Sequence, residues 1–255
     1  SASMKDFGDD WRSPAVWWKA VESALDQLLS GIDPRQVKAL AVDGTSGTVL
    51  PVDRDGIPLA GALMYNDPVS DKGILAVIRK HAPAESAAHG ATSGLAKFVH
   101  FQTVPKTHRV LHQADWIAAQ FCGRFDISDE NNALKTGYDP VTRSWPEWIA
   151  QTGADAALLP DVVTPGTPVG TVTAAAAARF GFSRDTVVAG GTTDGCASFL
   201  ATGASQPGDG VTALGSSLTV KLLSDTPIFA PQYGIYSHRI GDGWLAGGAS
   251  NTGGK

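Results

Sequence analysis

Val187-Val-Ala-Gly-Gly-Thr-Thr-Asp-Gly-Cys-Ala-Ser-Phe-Leu-Ala-Thr-Gly203 is the stretch on which the fold turns. Its β-branched apolar start predicts a buried strand over 186–190, the pair Gly190-Gly191 ends it, and 195–203 predicts a helix rich in small residues. Strand, glycine turn and helix in that order present one carboxylate, Asp194, to a cleft beside backbone N–H groups. A second glycine turn, Gly215-Ser-Ser217, follows between strands expected at 210–215 and 218–223, with N–H and hydroxyl donors that suit phosphate. A proton acceptor beside a phosphate-holding turn is the minimum equipment for placing a phosphoryl group on a hydroxyl.

Downstream of that turn, further strands are expected at 234–240 and 243–248, separated from the earlier ones by turns at Asp225-Thr-Pro227 and Gly241-Asp-Gly243. Upstream, the proline-bearing run from Leu159 to Pro168 predicts a boundary within 160–186, dividing the chain into units 1–185 and 186–255. The first unit opens on a helix announced by Ser13-Pro14 and ended near Gly31, with Val16, Trp17, Ala20, Val21, Ala24, Leu25 and Leu28 at helical spacing. Strands over 37–42, 48–52 and 62–65 follow, then a helix over 70–81, a Gly/Ala/Ser-rich loop over 83–94 and a long helix over 107–121. Residues 126–153 read as an ordered loop around a short helix near Trp148.

With 255 residues, 43% apolar and 18% charged, the chain can hide about three quarters of its unfolded surface. A net charge of −5 without any Lys/Arg run argues against nucleic acid as a partner. Cys122 and Cys196 lie in separate apolar segments without a C-x-x-C spacing, so neither a disulfide framework nor a zinc site is expected, and a reducing cytoplasm is. No run approaches the ~18 apolar residues of a membrane span, and the opening residues lack the features of a signal peptide. The expectation is a soluble protein with no membrane partner.

Four motifs in order carry a resemblance: Ala41-Val-Asp-Gly-Thr-Ser-Gly-Thr48, Met64-Tyr-Asn-Asp67, Val187 to Asp194 with its helix, and Ala213-Leu-Gly-Ser-Ser-Leu218. Together they resemble the FGGY carbohydrate kinases, most of all the D-ribulose/xylulose kinase-like branch, over essentially the whole chain. The resemblance implies an α/β, ribonuclease H-like fold of the actin, Hsp70 and sugar kinase type. Residues 1–185 would be most of a sugar-binding domain and 186–255 the beginning of a nucleotide-binding one. It further implies ATP- and Mg²⁺-dependent phosphorylation of a sugar hydroxyl, with a ketopentose such as ribulose or xylulose as substrate. Such kinases also carry an opening Asp-x-Gly-Thr phosphate hairpin and an adenosine-binding half, neither of which is found in 1–255. A fragment truncated at both ends and inactive alone is therefore expected.

Under that resemblance Asp194 is the general base, whereas the residues alone leave it equally a helix N-cap. Asp43-Gly-Thr-Ser-Gly47 reads as a phosphate cradle, a sugar contact or a plain β-turn. The resemblance, in which an equivalent stretch follows the first helix and precedes Tyr-Asn-Asp, assigns it to the sugar side of the cleft, with Ser46 the first candidate and Thr45 the second. Asn66 and Asp67 are candidates for substrate, with a turn completed by Pro68 as the alternative. Gly215, Ser216 and Ser217 are candidates for the nucleotide phosphates, with a hairpin turn as theirs.

His108 and His112 fall at i, i+4 on the expected helix without an acidic third ligand, so no protein metal site is expected. Trp11, Trp17, Trp18 and Trp116 read as packing residues on amphipathic helices. Two further function classes stay open: a non-catalytic sugar-binding or regulatory remnant, and another actin-like ATPase such as a phosphatase, which the Tyr-Asn-Asp segment disfavours.

Overall fold

The structure, a computed structural model, describes residues 2–214 and 218–250. Ser13 occupies the N-cap of the first helix, Pro14–Leu29, and Pro14 sits at its start, where a missing N–H costs nothing. The helix turns Val16, Trp17 and Ala20 inward. Trp17 meets Trp116 edge-on, with ring centroids 6.2 Å apart. Both indoles find acceptors, as buried N–H groups must: Trp17 in the Trp11 carbonyl at 2.7 Å and Trp116 in the Gly56 carbonyl at 3.0 Å.

Segments far apart in sequence pair to carry the site. Strand Ala39–Leu40 runs parallel to Val187–Ala189, which takes Pro168–Thr171 antiparallel on its other side. A step further along both chains, Asp43–Gly44 runs parallel to Thr192–Thr193. Close approach demands glycine here: a Cβ at Gly191 would run into the Val42 carbonyl, and one at Gly44 would lie 3.0 Å from the Ala114 nitrogen. Pairing with the first strands thus continues past residue 186, through Val187–Ala189 and, after the break at Gly190-Gly191, Thr192–Thr193. A separate apolar cluster begins with the helix Asp194–Leu200, whose Cys196 and Phe199 pack on Leu223 and Leu245. Those leucines belong to a four-stranded antiparallel sheet in the order Gly210–Leu214, Leu218–Ser224, Gly243–Ser250, Tyr236–Ile240.

Several local expectations change. Residues 62–65 form one bridge, Leu63 opposite Val49, because the chain turns at once through the Asp67 N–H to the Met64 carbonyl. The stretch 107–121 divides into a strand, Arg109–His112, and a helix, Gln113–Cys122. Val110 and Leu111 pair with Pro51 and Leu50, and both are buried, so cross-strand pairing overrides their helical spacing. A helix capped by Ser93, Gly94–Phe101, follows the Ala/Ser-rich loop. Within 126–153 a strand, Ile127–Asp129, leads into a short helix, Glu130–Ala133. His108 accordingly lies just ahead of the strand that His112 ends. His112 is committed to a buried network, with Nδ1 2.6 Å from Asp115 and Nε2 2.9 Å from Thr136.

Candidate functional site

Parallel strands release their chains at the same end, which is where ligands bind in sheets of this kind. Because Gly44 lies opposite Thr193, the turn Thr45-Ser46-Gly47 and Asp194 leave the sheet side by side. Thr193 holds the N-cap position, in extended backbone and without a side-chain capping bond. Asp194 is the first helical residue, and one of its carboxylate oxygens accepts the Gly195 N–H at 2.7 Å. Thr193 thus stands at the N-cap position without capping, and Asp194 satisfies the first-turn N–H that the capping alternative called for.

Asp194 keeps solvent access while neighbouring protein desolvates part of its carboxylate. Desolvation raises its carboxyl above the usual carboxylate range; Asp43 acts the same way, and the Gly195 N–H, Lys135 and Lys221 oppose it. A carboxylate so placed is a stronger proton acceptor than one in water.

The other candidates meet different fates. Ser46 Oγ is shielded from solvent and has no hydrogen-bond partner among the described residues. A polar atom in that state is one that a ligand would satisfy. Thr45 is already engaged: its N–H and hydroxyl both donate to Gln113 Oε1, at 3.1 and 2.9 Å, and Oγ1 lies 2.7 Å from Thr48 Oγ1. Asp67 is engaged too, accepting from Arg12 at 3.0 and 2.7 Å and from the Met64 N–H at 2.8 Å. The Arg12 guanidinium holds its carboxyl below the usual range, so the side chain braces its own turn. Asn66 is exposed. Gly215, Ser216 and Ser217 lie outside the described residues, between strands that pair Leu214 with Leu218.

Sequence reasoning passed over Lys97, although a lysine inside the apolar helix Leu95-Ala-Lys-Phe-Val99 is a legible anomaly. It is fully buried, and its Nζ donates to the Gly47 carbonyl at 2.7 Å and the Met64 carbonyl at 2.6 Å. One ammonium thus ties the Ser46 turn to the Tyr65-Asn66-Asp67 turn. Desolvation lowers its pKa to about 8, Lys135 pushes the same way and Asp67 opposes. Lys97→Met keeps the stem's bulk and strands two carbonyls. A stability loss of roughly 2–3 kcal/mol is expected in urea unfolding, and an unshifted midpoint would mean the tie holds nothing.

Asn131 and Asn132, within the stretch 126–153 expected as a loop, hold the strand that leads to Asp194. The Asn131 amide donates to Thr192 Oγ1 and to the Arg239 carbonyl, both at 3.0 Å, and accepts the Arg239 N–H at 3.1 Å. Asn132 donates to the Thr192 carbonyl at 3.0 Å and to Asp129 at 2.7 Å. These bonds fix the residue two before Asp194 and join the strand Tyr236–Ile240 to the first half of the chain.

No protein-family model matches the chain. Among curated proteins, the xylulose kinase of Streptomyces rubiginosus is 30% identical over 220 residues, covering 81% of this chain and 44% of that protein. The ribulokinase of Bacillus licheniformis is 25% identical over 274 residues, covering 90% of this chain and 48% of that protein. Among solved structures, the xylulose kinase from Rhodospirillum rubrum superposes with a TM-score of 0.81 at 22% identity, covering 98% of this chain and 54% of that one. A gluconate kinase from Lactobacillus acidophilus gives 0.81 at 17%, covering 94% and 51%. The chain spans about half the length of the relatives it matches.

Proposed function

Since this chain belongs to the FGGY family of carbohydrate kinases and carries their ribonuclease H-like fold, we propose that it serves the transfer of the terminal phosphoryl group of ATP to a hydroxyl of a ketopentose such as xylulose or ribulose. The hydroxyl oxygen attacks the γ-phosphorus, the bond to the bridging oxygen breaks, ADP leaves with that electron pair, and the hydroxyl proton passes to Asp194. The observation that carries this reading is the parallel register of Asp43–Gly44 against Thr192–Thr193, which sets an unpartnered hydroxyl and a desolvated carboxylate at common strand ends.

In this reading Ser46 binds a sugar hydroxyl, Thr45 and Asp67 hold the two turns in shape around it, and Asn66 faces the substrate from the second turn. Gly215, Ser216 and Ser217 receive the β- and γ-phosphates. Among the described residues no group of three His, Cys, Asp or Glu is placed to hold a metal. Mg²⁺ would come with the phosphates of ATP, whose charge it neutralises. Both cysteines are free, which suits the reducing cytoplasm in which we place the reaction. Among the described residues no helix is long and apolar enough to cross a membrane.

The test is sugar-dependent release of ADP by the full-length protein over a panel of ketopentoses and polyols; silence across the panel overturns the reading. Ser46→Ala refines it. Its hydroxyl makes no bond in the free protein, so the unfolding midpoint should stay put. Sugar KM should rise about fivefold for one lost hydrogen bond of about 1 kcal/mol, with kcat little changed. A collapsed kcat at unaltered KM would move the turn from sugar to phosphate.

A further inference from the structure

Two lysines act on Asp194, and each is accommodated by a glycine of the site. A Cβ at Gly47, next to Ser46, would lie 3.4 Å from Lys135 Cδ, and one at Gly195, next to Asp194, would lie 3.3 Å from Lys221 Nζ. A third glycine, Gly247, gives Lys221 room on the neighbouring strand, where a Cβ would lie 3.0 Å from its Cγ. Lys135 comes from the turn Leu134–Thr136 in the first half of the chain, and Lys221 from the strand Leu218–Ser224 in the second.

Both side chains are half-buried, and neither ammonium has a hydrogen bond or ion pair among the described residues. Lys135 has only the Tyr236 ring, 5.8 Å from Nζ to the centroid. The titratable groups that feel both are Asp194 and His238, with Cys196 feeling Lys221 and Lys97 feeling Lys135. Both lysines favour the ionised form of Asp194 and disfavour a charge on buried His238, so their fields converge on one small volume. A half-buried ammonium forgoes part of its hydration, a cost that an anion beside it relieves.

We propose that Lys135 and Lys221, one from each half of the chain, bracket the phosphoryl group as it passes to the sugar and remains on the phosphorylated product. The assignment rests on the kinase reading and adds to it a pair of anion-binding residues that span the cleft. Two point charges suit this work, since a phosphate between them needs positive charge on both faces as its oxygens change partners.

The test uses the full-length protein and two probes, inorganic phosphate and a ketopentose 5-phosphate, titrated by calorimetry alongside the free ketopentose. Lys135→Met and Lys221→Met should each weaken the sugar phosphate and inorganic phosphate by roughly tenfold, while the free sugar shifts by less than about twofold. Arginine at either position keeps the charge and should restore most of the phosphate affinity, which separates charge from a general loss of structure. Phosphate affinities indifferent to both methionine variants, with thermal midpoints intact, overturn the bracket even if the kinase is fully active. A protein that phosphorylates no sugar but loses phosphate affinity in both variants keeps the bracket and overturns the kinase reading alone.

Discussion

Asp194→Asn in the full-length protein should lower sugar phosphorylation by about 10²- to 10⁴-fold, the range that a general base supplies. The substitution keeps the size and planarity of the side chain, and Thr193 holds the N-cap position, so the helix Asp194–Leu200 loses no cap. The carbonyl oxygen of asparagine can still accept the Gly195 N–H that Asp194 accepts at 2.7 Å. Stability should therefore hardly change, and the loss should fall on kcat with little effect on KM.

The pH profile supplies a second readout. The carboxyl is raised by desolvation and by Asp43, so it takes up a proton at a pH where an ordinary carboxylate stays ionised. Turnover of the unaltered protein should accordingly fall on acidification from above the usual carboxylate range, and the asparagine variant should lack that limb. An asparagine variant of near-normal rate would leave Asp194 without a catalytic part.

Gly191→Ala should be the most damaging methyl group added at any glycine among the described residues. A Cβ at this position runs into the Val42 carbonyl, a backbone atom that cannot swing aside without moving the strand that leads to Asp43. Forced shifts of packed backbone cost roughly 3 kcal/mol or more, equivalent to a fall of about 6–12 °C in Tm for a chain of this size. Gly31→Ala is the control, since a Cβ there meets nothing within 4 Å. Equal midpoints for the two variants would mean that the Gly190-Gly191 break tolerates a side chain, and that the close approach of Val42 does not hold the strands in register.

Much of the candidate site was legible in the residues themselves. The run Val187-Val-Ala-Gly-Gly-Thr-Thr-Asp194 announced a strand, a break and a carboxylate at the head of a helix, and all three are present. The antiparallel strands of the second half also fell within a residue or two of their expected places, because alternating side chains and Gly/Pro turns are local signals. Val110 and Leu111 were misread as helical, since an apolar pair of that length fits either period until its partner strand, Val49–Val52, is known.

Tertiary structure alone decided what each polar group is free to do. Thr45 and Ser46 are neighbours of similar chemistry, yet one hydroxyl is spent on Gln113 and the other has no partner. Lys97, Lys135 and Lys221 are separated by long stretches of chain but meet around one turn and one carboxylate. By itself the sequence determined many of the strands and helices and where a lone carboxylate emerges, because those depend on spacing within a dozen residues. The parallel pairing of Asp43–Gly44 with Thr192–Thr193, and every contact that follows from it, depends on which distant surfaces bury one another, a choice made only when the whole chain packs.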